Sequence, residues 1–470
     1  MFTRRIALAA ALLLAACASA PPRVIEAGEP VTAFTNVTVI AEYGGGRLER
    51  HTVAVRGDRI IAIGRDGSIV LPEGSRIIDG GGQILAPGIA DMHVHYQDPS
   101  VGVLMLANSI TTIRNPSGFG VGSGPDTTLG LAARTARGDV VGPFIYSSGQ
   151  LIDGPGSFWG PQVVVETVDG VRERVRQDAE AGYPAIKLYV QLTPEQYRAG
   201  VEEARARNLQ IYSHVPASMT LEQVLDLRID SIEHLDGFDR SLGGEGQGMQ
   251  SRWVAAPADR MAPLAQRVLA SGVWQVPTLI VNLAPSRAFV DITAADSAPE
   301  LRYAQQGLLD FWHSYVARIP AGTDLAARYR VVQQAHARRI DMLRALREAG
   351  VPVLIGTDAP NPYVMYGFGI HEEFGFFHEA GYSNTQILRI ATLEAARFLN
   401  KQGEFGIIAE GARADLLLLG GDPETDLGVL RAPAGVMAAG RWHDQAALAA
   451  QLRAIEQSAQ ASRTQPQQPR

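Results

Sequence analysis

Between residues 86 and 401 short apolar runs recur, and stretches whose apolar positions repeat at the 3.6-residue period of a helix lie between them. Eight runs stand out, at 84–92, 109–114, 141–147, 185–190, 209–213, 230–233, 273–281 and 351–357. Helical patterns occupy 171–181, 194–208, 220–227 and 325–349. A nearly continuous apolar strand is buried on both faces, as a parallel strand covered by helices is. Eight such strands predict an α/β chain whose 86–401 segment is a (β/α)8 TIM barrel, with a doubly wound sheet as the alternative. Two long stretches, 237–272 and 283–324, fall where barrel loops form lids.

The flanks read differently. Val37-Thr38-Val39-Ile40, Thr52-Val53-Ala54-Val55 and Arg59-Ile60-Ile61-Ala62-Ile63 are short β-like pieces between Gly- and Asp-rich turns, and matching pieces appear at 414–419 and 435–438. They predict a small antiparallel sheet whose two halves pair, giving a β-sandwich domain of 31–85 plus 402–445. Residues 1–17 have the architecture of a secretory signal: Arg4 and Arg5, an apolar run, then Leu14-Ala15-Ala16-Cys17, which resembles a bacterial lipobox. Cys17 is therefore the expected lipidation site, and the chain is expected to be exported and anchored on the periplasmic side, at the outer membrane. Whether export uses the general or the twin-arginine route stays open. Residues 18–30 read as a tether and 458–470, rich in Gln, Ser and Pro, as a disordered tail.

Composition narrows the chemistry. With 46% hydrophobic and 19% charged residues over 470 positions, the chain can bury a large core. The net charge of −7 is dispersed, which gives no footprint for nucleic acid. Cys17 is the only cysteine, so any metal must be held by nitrogen and oxygen donors. In a barrel, functional groups sit at the C-terminal ends of strands. Four of the ten histidines fall there: His93 and His95, which alternate onto one side of the first strand, His214 after the fifth and His234 after the sixth. Asp358 ends the eighth. His51, His313, His336, His378 and His443 lack such placement and read as structural. Lys187 stands inside the apolar run Ala185-Ile186-Lys187-Leu188-Tyr189. It either snorkels its charge to the barrel mouth or is carried as a carbamate, whose two oxygens can bridge two metals.

Gly88-Ile89-Ala90-Asp91-Met92-His93-Val94-His95, Ile186-Lys187-Leu188-Tyr189, Ser213-His214-Val215-Pro216, Ser231-Ile232-Glu233-His234-Leu235 and Gly356-Thr357-Asp358-Ala359 together resemble the amidohydrolase superfamily, in its imidazolonepropionase-like and prolidase-like branch. The segments 391–397 and 406–416 are similar to that family's exit from the barrel. The resemblance implies two divalent ions, zinc by expectation, with His93, His95 and Asp358 on one, His214 and His234 on the other, and a carbamate on Lys187 and a hydroxide bridging both. It further implies hydrolysis of an amide or peptide-type C–N bond in a dipeptide, N-acyl amino acid or cyclic amide. Asp358 would carry the proton to the leaving amine.

Several branch members place a histidine after strand three to contact the substrate carbonyl; here that loop reads Leu151-Ile152-Asp153-Gly154-Pro155-Gly156, without one. Tyr189, on the same strand face as Lys187, is the candidate donor in its place. His371 and Arg114 are candidate substrate contacts, each with a structural alternative. Three further readings stay open: a lactone or phosphoester hydrolase on the same two-metal site, a mononuclear nucleobase deaminase, and a non-enzymatic lipoprotein. The expected partners are a small-molecule substrate and a membrane lipid surface, with a homo-oligomer possible on sequence grounds and no nucleic acid.

Overall fold

Gly88 divides the predicted first strand in two. A Cβ there would lie 2.1 Å from Thr111 Oγ1, so only glycine lets the chain through, and its N–H donates to Asp415 O at 2.9 Å. Before it, Ile84–Pro87 joins the sheet built by the chain ends; after it, Ile89–Asp91 opens a parallel array. In this computed structural model, which describes residues 22–120, 122–157 and 162–464, the array comprises two parallel sheets. One holds Ile89–Asp91, Ile110–Asn115 and Phe144–Ser147. The other runs Gln162–Val164, Leu151–Asp153, Ala185–Leu188, Gln210–Ser213, Ser231–Glu233 and Trp274–Val276 in spatial order.

A few backbone bonds link these sheets. Gly149 N–H donates to Ala185 O at 3.1 Å, while the extended segment 351–359 is bonded to both: Leu354 N–H to Gln275 O at 2.8 Å and Met92 N–H to Ile355 O at 2.8 Å. The predicted strand 351–357 is thus reduced to one isolated bridge, between Gln275 and Val353. Pro352 has no N–H to give, and the Thr357 N–H is taken by Asp91 Oδ1 at 3.0 Å rather than by a neighbouring strand. The predicted strand 273–281 is shortened for similar reasons. Pro277 ends it, Thr278 turns left-handed at φ 43°, and Leu279–Val290 is helical. Its first two N–H groups, on Leu279 and Ile280, are capped by Glu373 at 2.8 and 2.9 Å.

The stretches predicted as lid loops are mostly helix: Met249–Ala255, Met261–Ser271, Leu279–Val290 and Gln306–Ala317. The first three pack against the 25-residue helix Leu325–Ala349, which ends at Gly350 with φ 81°. The chain ends do pair, but in one eight-stranded sheet that is mixed rather than antiparallel. Val31–Ile40 accepts Arg47–Arg56 antiparallel on one edge, and Arg76–Asp79 and then Ile84–Pro87 parallel on the other. Its register with Arg47–Arg56 shifts between Phe34 and Val37, around Asn36 at φ 53°. Leu416–Leu419 lies antiparallel to Ile84–Pro87, and Phe34, Val53, Leu85, Leu416 and Met437 fill the core that the sheet encloses.

Two terminal expectations change. Within the expected tether 18–30, Arg23–Val24 pairs with Ile69–Val70. Residues 458–464 of the expected disordered tail belong to the helix Gln445–Thr464. Alanine-rich helix propensity outweighs the Gln and Ser content, and burial of Leu448 and Ala459 docks the helix. Residues 1–21 and 465–470, and with them the signal segment and Cys17, lie outside the described residues. Among the described residues no helix is long and apolar enough to cross a membrane.

Candidate metal centre

His93, His95, Lys187, His214, His234 and Asp358 line a single cavity of about 460 Å³, together with Tyr189. Asp358 Oδ1 lies 2.9 Å from His95 Nε2 and 3.4 Å from His93 Nε2, and its Oδ2 lies 3.6 Å from His234 Nδ1. His93, His234 and Asp358 offer ligand atoms all within 4.8 Å of one another. The His214 ring stands 4.7 Å from that of His234 and 4.2 Å from that of Tyr189. Lys187 Nζ is buried and has no hydrogen-bond partner.

Burial first, then the nearby Lys187 charge, hold the imidazoles of His93 and His214 well below their ordinary pKa; burial is also the largest cause at His234. Neutral imidazoles have a free lone pair, which is the form that ligates metal. Burial likewise pushes the Lys187 ammonium down to about 8, against the opposing pull of Glu233. Backbone strain gathers here too. His234, Leu235, Thr278 and Asp358 are held at φ 63°, 52°, 43° and 61°, where side chains other than glycine are uncommon.

Behind the candidate ligands is a buried ionic layer. Glu233 Oε2 accepts from His93 Nδ1 at 2.6 Å and from Arg114 NH2 at 2.7 Å, while Ser231 Oγ donates to Glu233 Oε1 at 2.6 Å. A carboxylate only accepts, so the proton of His93 is on Nδ1 and its Nε2 lone pair faces the cavity. Burial works to raise the Glu233 carboxyl, but Arg114 and Lys187 outweigh it and keep the group ionised. Arg114, a candidate substrate contact by sequence, is therefore committed elsewhere. It is fully buried, donates to Met92 O at 2.5 Å and Ser231 Oγ at 3.0 Å, and does not line the cavity. His371, the other candidate, also turns away. It sits inside Gly369–Glu379 and its Nε2 pairs with Asn108 Oδ1 at 2.9 Å.

Asp236 was missed. It lines the cavity with Oδ2 3.3 Å from His214 Nδ1, and its position two residues after His234 in Glu233-His234-Leu235-Asp236 was the available signal. The cavity wall from Met249, Phe311 and Tyr315 had no signal, because it depends on how the lid helices fold over.

The family model described as amidohydrolase family matches residues 84–443. The chain belongs to the amidohydrolase family. That membership makes it a hydrolase of carbon–nitrogen bonds in a family that generally uses divalent metals. Among solved structures, this amidohydrolase is similar to a bottromycin amidohydrolase (TM-score 0.70, 23% identity, 91% of this chain and 90% of that one). It is also similar to a prolidase complexed with N-methylphosphonate-L-proline (TM-score 0.63, 23% identity, 88% and 99%). Identities this low establish likeness of fold. An uncharacterised protein of Mycobacterium tuberculosis (strain ATCC 25618 / H37Rv) is 26% identical over 391 residues, 78% of this chain and 87% of the relative. The donor set of this amidohydrolase fits a metal group. Lys187 Nζ and Asp358 Oδ1 are buried polar atoms without hydrogen bonds, facing neutral imidazoles that have lone pairs to give.

Proposed function

We propose that the chain is a (β/α)8 barrel closed through segment 351–359, holding two divalent ions and hydrolysing an amide-type C–N bond of a small molecule. The observation that carries this reading is the convergence of six donors, from four strands and the segment 351–359, on one cavity, with Lys187 Nζ unpartnered among them. His93, His95 and Asp358 would hold one ion, His214 and His234 the other, and Lys187, as a carbamate, both. Such ions supply water that ionises near neutral pH and a Lewis acid for the scissile carbonyl.

The remaining roles fall to side chains of this chain. Asp358, buried and without a hydrogen bond on Oδ1, takes a proton from the attacking water and gives it to the departing nitrogen. Tyr189, which lines the cavity with its ring against that of His214, would offer its hydroxyl as the donor to the carbonyl oxygen. Asp358→Asn is expected to lower kcat by at least about 10²-fold while retaining part of the metal, because an amide oxygen remains a donor. Metal analysis and turnover of an amide panel measure both, with a lactone and a phosphotriester alongside. Full turnover in the variant removes Asp358 from the mechanism, and turnover of the ester substrates alone replaces the C–N reading.

A further inference from the structure

The cavity above the ligand cluster is poor in cations. Among the described residues that line it, Lys187 at the ligand cluster is the sole lysine or arginine. The one further ionisable wall residue beyond the ligands and tyrosines is an acid, Asp236. Neutral amides, from Gln97 and Asn282, supply hydrogen bonding. The outer wall is apolar: Met249 and Phe311 line the cavity while remaining 40% and 37% exposed, and Tyr315 and Val281 extend the same surface.

These features select against one kind of substrate and for another. A carboxylate on the carbon beside the scissile nitrogen would shed its water on entry and, away from the ligand cluster, meet no guanidinium or ammonium among the described wall residues. An apolar or aromatic flank instead covers Met249 and Phe311 and gains their burial. Resting on the C–N hydrolysis reading above, we propose that the substrates are uncharged N-acyl amides with apolar or aromatic flanks. Dipeptides with a free C-terminus and N-acyl amino acids are then poor substrates.

The test uses matched pairs that differ by one carboxylate, such as an N-acylbenzylamine and the corresponding N-acylphenylglycine, across several acyl groups, with metal-loaded enzyme and release of the amine as the readout. The neutral member of each pair is expected to exceed the acid by at least about tenfold in kcat/KM, the scale of one uncompensated ionic group. Met249→Arg, at an exposed wall position where folding is not at risk, is expected to shift the acid-to-neutral ratio several-fold toward the acid. An acid hydrolysed as well as its neutral partner, as would follow if a metal ion takes up the carboxylate, overturns the substrate class and leaves C–N hydrolysis standing. Hydrolysis of neither member of any pair overturns both.

Discussion

A lysine between Ile186 and Leu188 on a fully buried strand would cost several kcal/mol as an unpaired ammonium. The snorkelling alternative requires Nζ to reach water or a partner, yet it is buried and makes no hydrogen bond. A pKa pushed down to about 8 places the free amine within reach near neutral pH, and the free amine is the form that adds carbon dioxide. Lys187→Arg is therefore expected to fold, lose most of its bound metal and lose turnover. A guanidinium forms no carbamate, and its fixed charge would repel two divalent ions at close range. Metal stoichiometry of the purified variant decides this; an active Lys187→Arg enzyme with two metals per chain rules out the carbamate bridge. At this scale the sequence was informative about placement: the candidate ligands are single residues at strand ends, where alternation fixes the side, and they line one cavity. Arg114 and His371 were not readable, since each is bound by a partner far away in the chain.

Elements position those residues through the ionic layer beneath them. Three strands contribute: Ile110–Asn115 brings Arg114, Ser231–Glu233 brings Ser231 and Glu233, and His93 follows Ile89–Asp91. Glu233→Gln keeps an acceptor for His93 but leaves the Arg114 guanidinium buried without its counter-charge. The expected loss is about 3–5 kcal/mol in denaturant unfolding. Metal affinity is expected to fall about 10- to 100-fold, because the partner that orients His93 is weakened. A merely structural Glu233 would give the first loss without the second, so a metal titration of folded variant separates them. Element identity was largely legible: the strand positions and the helix 325–349 follow from apolar period alone. Strand ends were not, because Gly88, Pro277 and Pro352 divert backbone donors in ways that depend on the neighbours across the sheet.

Across the whole molecule, the C-terminal helix Gln445–Thr464 connects the sheet of the chain ends to the cavity wall. It leaves the strand Arg441–Asp444 and reaches Pro299–Tyr303 and Gln306–Ala317, the latter carrying Phe311 and Tyr315 of the cavity. Ser462 Oγ accepts the Gln306 N–H at 3.0 Å, and Arg463 donates to Ala304 O at 2.7 Å and to Leu301 O. Composition suggested disorder for 458–470 because that stretch is rich in Gln, Ser and Pro; what orders 458–464 is docking against elements some 150 residues away, which no local pattern encodes. Removing residues 459–470 deletes those bonds and the buried Ala459, yet touches neither the proposed metal ligands nor the main core. Metal content and the global unfolding midpoint are therefore expected to stay near those of the full chain. Helix Gln306–Ala317, having lost the partner of its first N–H, is expected to open locally at lower cost. Limited proteolysis should then cut near residue 306 several-fold faster, and KM for apolar amides should rise with kcat little changed, because the wall that binds them is loosened while the reacting groups stay in place. Unchanged cleavage and unchanged KM in the truncated enzyme would show that the wall holds itself and that the terminal helix only covers it.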